Sequence, residues 1–158
     1  MGLIQFADRS RLSHSMTLAE TVASPDWSGS DRCKERQLAT LMARLRWAIL
    51  RPPATGERFH AIFLDHRASI VGDSPVIIGK TGTLSLKMRD LFTHALSADA
   101  KGMILAHNHP SGDCRPSEKD INATRRISEV ANALDIALID HLIFTNTAVF
   151  SMRAGDTL

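Results

Sequence analysis

The stretch GMILAHNHPSGDCRPSEKD, residues 102–120, passes from an apolar run into a polar loop and then into a helix start. Met103-Ile104-Leu105-Ala106 is continuously apolar and bounded by Gly102 and Pro110, the pattern of a short strand buried on both faces. Residues two apart in extended backbone project to one face, so His107 and His109 can reach a common point. A histidine pair at this spacing carries little by itself, because polar strand ends often hold a histidine.

Asp120 adds the deciding direction. The spacing predicts a helix from near Ser117 to about Leu134. On a wheel of about 100° per residue, Thr124, Ile127, Ala131 and Leu134 all fall within about 40° of Asp120. Asp120 therefore points toward an apolar arc, where a carboxylate needs a partner or a metal. Ser117 and Asp120 also form an S-x-x-D capping box, which explains the first turn. The two readings are compatible, since a cap would hold the carboxylate rigid.

Two neutral imidazoles and one carboxylate make the three-ligand set of catalytic zinc, here one Zn2+ per chain, with a fourth position left for water. A general base remains useful to take a second proton. Glu57 lies two residues before Phe59, at the entry to the apolar run Phe59-His60-Ala61-Ile62-Phe63-Leu64, and shares parity with Phe59, Ala61 and Phe63. That parity can carry it to the sheet end holding the histidines; the alternative is a solvated carboxylate at a strand entry. Cys114, in the loop, would close the site as a fourth ligand and abolish hydrolysis. His141 lies in an apolar strand, either as a satisfied core histidine or supporting the site together with Asp140. His14, His60, His66 and His94 show no partner pattern, and Arg125 and Arg126 fit a solvated helix face.

Working outward, residues 1–31 form an irregular N-terminal arm containing the breaker-rich stretch Ser24-Pro25-Asp26-Trp27-Ser28-Gly29-Ser30. From Arg32, Leu38, Leu41, Met42, Leu45 and Ile49 recur at helical steps until Pro52-Pro53, and a turn at residues 53–56 follows. Strands are expected at 59–64, 69–71 and 76–78 in a meander, then a helix through Met88, Leu91, Phe92, Ala95 and Leu96. Further strands are expected around 137–144 and 148–152. This order gives an α/β (α+β) domain over residues 32–158, a mixed β-sheet flanked by helices.

The 158 residues are 44% hydrophobic and 23% charged, enough for one domain with a proper core. A net charge of +2, spread along the chain, gives no nucleic-acid footprint, so DNA binding is not supported by the charge pattern. Cys33 and Cys114 form no C-x-x-C pair, which fits a reducing, cytoplasmic setting without a disulfide framework. No run approaches the roughly 18 apolar residues of a membrane span, and the N-terminus lacks a secretory or myristoylation pattern.

His107-x-His109-Pro110-Ser111-Gly112 followed by Pro116-Ser117-x-x-Asp120 resembles the JAMM (MPN+) metalloprotease signature, in the form of its bacterial RadC-type branch. Ten residues separate His109 from Asp120, the family's spacing without a gap. Glu57-x-Phe59 before Phe63-Leu64-Asp65, the pair Gly82-Thr83, Arg89-Asp90-Leu91-Phe92 before Ala95-Leu96, and Asp140-His141 extend the resemblance over about residues 38–153. It implies the cytidine deaminase-like JAMM/MPN architecture, with His107, His109 and Asp120 as zinc ligands. It further implies Glu57 as general base and Ser117 as donor to the oxyanion of a tetrahedral intermediate.

Two departures stand out. Residues 1–31 are too short and irregular for the helix-hairpin-helix-like region usual before this domain, which weakens a DNA role taken from the family name. Met88 replaces the usual proline before Arg89, which touches only a helix start.

The expected function is a zinc metallohydrolase of peptidase or isopeptidase type, acting on a peptide or isopeptide-linked protein. The rival is a non-catalytic or weakly catalytic accessory protein of DNA repair or mobile elements. A metal-dependent nuclease ranks last, because two-metal phosphodiester chemistry needs more carboxylates. No membrane partner is expected; the Leu38–Ile49 helix and the Trp27 arm are compatible with a homo-oligomer.

Overall fold

The computed structural model describes residues 3–5, 31–52, 56–79 and 87–158. Most of the arm, including His14 and Trp27, the pair Gly82-Thr83, the middle of the 53–56 turn and the side chain of Cys33 lie outside the described residues.

The elements run β1 (Leu3–Gln5), α1 (Asp31–Leu50), β2 (Arg58–Leu64), β3 (Ile70–Asp73), β4 (Ile77–Ile78), α2 (Met88–Ser97), β5 (Gly102–Asn108), α3 (Glu118–Ala133), β6 (Ala137–Phe144) and β7 (Ala148–Ser151). They build one seven-stranded sheet in the order β1-β7-β6-β5-β2-β3, with β4 also on β2. Among the described residues only β5 and β6 pair in parallel, with α3 as the crossover between them. The sheet is mixed, as the sequence led us to expect.

Alternation along the strands sorts the core into two layers. Ile62, Leu64, Ile104, Ala106, Leu142 and Phe144 pack against Leu41, Leu45 and Ile49 of α1. On the opposite face, Phe59, Phe63, Met103 and Leu105 meet Leu91 and Phe92 of α2 and Ile127 and Ala131 of α3. β2 and β5 are buried along their whole length because helices cover both faces.

β3 and β4 do not form a meander. Both pair antiparallel with the same edge of β2, so they are one edge strand broken in two. Pro75 lacks the N–H a ladder needs, and Ser74 bridges the break: its backbone N–H donates to the Ala61 carbonyl, while its Oγ accepts the Ala61 N–H, each at 2.9 Å. The arm also contributes regular structure, since Leu3–Gln5 pairs antiparallel with β7, Leu3 opposite Phe150.

α3 buries Thr124, Ile127 and Ala131, the arc on which Asp120 was placed. Leu134 departs from that arc: it is the C-cap rather than part of the helix and is 37% exposed. α2 starts at Met88 with Lys87 as an N-cap that makes no side-chain capping bond. No helix among the described residues is long and apolar enough to cross a membrane.

Candidate metal centre

β5 carries His107 on the face covered by α2 and α3, and the backbone N–H of His109 extends the pairing with β6 by donating to the Phe144 carbonyl at 2.9 Å. His109 therefore stays extended one residue past the strand, and both imidazoles turn to the same side. The chain then reverses through Gly112, whose φ of 88° is a conformation glycine adopts without strain. Ser117 opens α3 with a full capping box. Its hydroxyl donates to Asp120 Oδ2 at 2.6 Å and accepts the Asp120 N–H at 3.2 Å, and its own N–H donates to Oδ2 at 2.8 Å. The capping and site readings of this pair hold together in one geometry, because the cap fixes the carboxylate beside the histidines.

His107 Nε2 lies 3.0 Å from His109 Nε2 and 3.3 Å from Asp120 Oδ1, and His109 Nε2 lies 3.4 Å from Asp120 Oδ2. Bonds of about 2.0 Å to a tetrahedral ion separate neighbouring ligand atoms by roughly 3.3 Å. The three donor groups thus have the spacing and chemistry to hold a metal ion. The other nitrogen of each ring is engaged: His109 Nδ1 donates to the Asp113 carbonyl at 2.7 Å, and His107 Nδ1 meets His141 Nε2 at 2.8 Å.

Electrostatics follow the geometry. Burial, only partly countered by the Asp120 charge, pulls His107 down to about 4. The hydrogen bond to Asp120 lifts His109 above the usual histidine value despite partial burial, and the Asp113 carbonyl and the charges of Asp120 and Glu57 add to the lift. Burial alone would raise Asp120, but hydrogen bonds from His109 and Ser117 and the His107 charge more than offset it, holding the carboxyl well below its ordinary range.

Glu57 sits just before β2, where Phe59 pairs with His107, and its charge is felt at His109. Parity thus brought Glu57 to the right end of the sheet. Asn108, between the two histidines, holds that segment from both sides. Its Oδ1 accepts the Arg58 N–H at 2.7 Å and its Nδ2 donates to the Gly56 carbonyl at 3.2 Å. Gly56 must be small, since a Cβ there would lie 2.7 Å from the Gly79 oxygen, and the Gly79 N–H in turn donates to the Glu57 carbonyl at 2.8 Å. Sequence reasoning passed over Asn108. A buried amide needs partners, so an asparagine at the end of a buried strand, between two histidines, was the available signal.

β6 reaches the site through a bulge. Pairing steps from Met103–Leu138 to Ile104–Asp140, leaving Ile139 as the extra residue. The step reverses the alternation, so Leu138 and His141 share the face toward α3. His141 Nδ1 lies 2.6 Å from Thr124 Oγ1 on α3. Asp140 meets His141 through the backbone rather than the ring: Oδ1 accepts the N–H groups of His141 and Arg153, and Oδ2 accepts the Ser151 hydroxyl. Burial raises its pKa against those bonds.

Cys114 turns away into an apolar pocket with Ile143, Ala148 and Met152 and is not among the converging donors. His60 is buried beside Asp73 on the other face of the sheet, while His66, His94, Arg125 and Arg126 are exposed.

The RadC-like JAB domain family matches residues 32–157 of the chain. A UPF0758 protein of Geobacillus thermodenitrificans is 32% identical over 122 residues, covering 77% of this chain and 51% of the relative. One from Rhodobacter capsulatus is 38% identical over 102 residues, covering 65% and 48%. One from Thermotoga maritima is 36% identical over 92 residues, covering 58% and 41%. The chain spans about half the length of these curated relatives or less. A match over most of the chain, on a fold that gathers a His-His-Asp donor set of JAMM type, means that this chain belongs to the RadC-like JAB domain family.

Proposed function

We propose that the protein is a zinc-dependent hydrolase of amide bonds, peptide or isopeptide. The observation that carries this reading is the convergence of His107, His109 and Asp120 at ligand spacing, with the Glu57 charge reaching the same point. A zinc ion held by these three residues would supply Lewis-acid polarisation of a carbonyl and of water.

The protein groups have distinct tasks. Glu57 accepts a proton from the attacking water and returns it to the leaving amine. Asn108 holds the backbone on both sides of Glu57, through the Arg58 N–H and the Gly56 carbonyl, and so fixes where its side chain starts. Ser117 is exposed at the rim, and its hydroxyl can turn from Asp120 Oδ2 to a developing oxyanion, while its backbone N–H keeps hold of the carboxylate.

The test combines elemental analysis of purified protein with a screen of peptide and isopeptide substrates. One zinc per chain and a cleaved substrate are expected, with Glu57→Gln retaining zinc and losing turnover. Retained turnover in Glu57→Gln would remove Glu57 from the mechanism.

A further inference from the structure

Thr124, His141 and His107 form a continuous buried chain from α3 through β6 to β5. Thr124 Oγ1 carries a single proton and lies 2.6 Å from the Asp120 carbonyl oxygen and 2.6 Å from His141 Nδ1. A carbonyl cannot donate, and two oxygens that close need a proton between them. The Thr124 hydroxyl therefore donates to the Asp120 carbonyl. Its oxygen is left to accept, so His141 Nδ1 carries hydrogen and His141 Nε2 carries a lone pair. That lone pair lies 2.8 Å from His107 Nδ1, which must then be the donor. The two rings are tilted at 57°, a geometry for an edge-to-edge hydrogen bond rather than a stack.

We propose that Thr124 and His141 are positioning residues that lock His107 as its Nδ1–H tautomer and so present its Nε2 lone pair to the ion. This rests on the metal reading above and adds a device to it: the chain starts on the backbone of one ligand, Asp120, and ends in the ring of another, His107. The reverse direction would put hydrogen on His107 Nε2 and block that atom as a ligand. The bulge in β6 is what lets the device exist, since without it His141 would face α1.

The tautomer is read in the metal-free protein at pH 8 by long-range 1H–15N correlation of the imidazole nitrogens. The expected result is a protonated Nδ1 and an unprotonated Nε2 in His107; the opposite pattern overturns the proposal without any variant. In Thr124→Val, which keeps the shape and removes the hydroxyl, mixed tautomers and zinc affinity weaker by about 10- to 100-fold are expected, measured by competition with a chromophoric chelator. Thr124→Ser should restore both. A Thr124→Val protein with parental zinc affinity and tautomer, or a Thr124→Ser protein that restores neither, overturns the relay. Parent protein that binds no zinc but shows the Nδ1–H tautomer upholds the relay and overturns the hydrolase, so the two failures are separable.

Discussion

Asn108 Oδ1 accepts the backbone N–H of Arg58 at 2.7 Å, so the strand that supplies the candidate ligands also fixes the residue beside Glu57. The same amide donates to the Gly56 carbonyl on the other side. Asn108→Ala leaves a buried N–H without its partner and should cost about 2–3 kcal/mol of stability by urea denaturation, with zinc affinity kept within a few fold. Asn108→Asp should cost more, because a carboxylate cannot donate to Gly56 and would be buried. A neutral effect of both substitutions would remove the clamp.

Ser117 has a structural and a chemical task that separate on substitution. Ser117→Ala loses the cap, at a cost of about 1 kcal/mol, read as a lower melting temperature. Zinc affinity should change little, because the Ser117 N–H still holds Asp120 Oδ2. Turnover on a cleaved substrate should fall by about 10²- to 10³-fold. A fall in turnover no larger than the loss of folded protein would leave Ser117 only its capping task.

Acidification should destabilise the metal-free protein between pH 6.5 and 4. His107 is held down to about 4 and His141 well below its usual value, both by burial, so the unfolded chain takes up protons in this window that the folded chain refuses. Their stabilisation is present above 6.5 and lost as pH falls; for His107 alone the difference between 6.5 and about 4 corresponds to at most ~3 kcal/mol. His109 is shifted the other way, so its contribution is complete below 6.5 and is lost only as pH rises through its folded value. Asp120 is held low, so its contribution persists above its ordinary range and is lost only at more acid pH. Urea midpoints across pH 4–8 for the parent and His107→Gln check this; equal slopes would contradict it.

Local pattern made much of this legible. Helical spacing located α1, α2 and α3, an apolar run located β5, and the direction of Asp120 together with the parity of Glu57 placed both carboxylates at the histidine end of the sheet. What local pattern lacks is register. Nothing near Ile139 announces the bulge that turns His141 toward α3, because the extra residue shows only against β5. The split of β3 from β4 depends on their sharing one edge of β2. β1 is three residues long, too short for periodicity, and its partner lies at the far end of the chain. The roles of Asn108 and of the Thr124 hydroxyl went unnoticed for a related reason: their partners, Gly56, Arg58 and His141, are distant in sequence.

The most direct measurement is a zinc titration of the metal-free protein followed by melting temperature, for the parent and for His107→Ala. One equivalent bound to the parent is expected, with free zinc at 100 times its Kd stabilising the fold by about 2.7 kcal/mol, and His107→Ala showing neither binding nor the shift. Identical melting of the parent with and without zinc, or zinc binding to His107→Ala as tight as to the parent, would contradict a metal centre built on His107, His109 and Asp120.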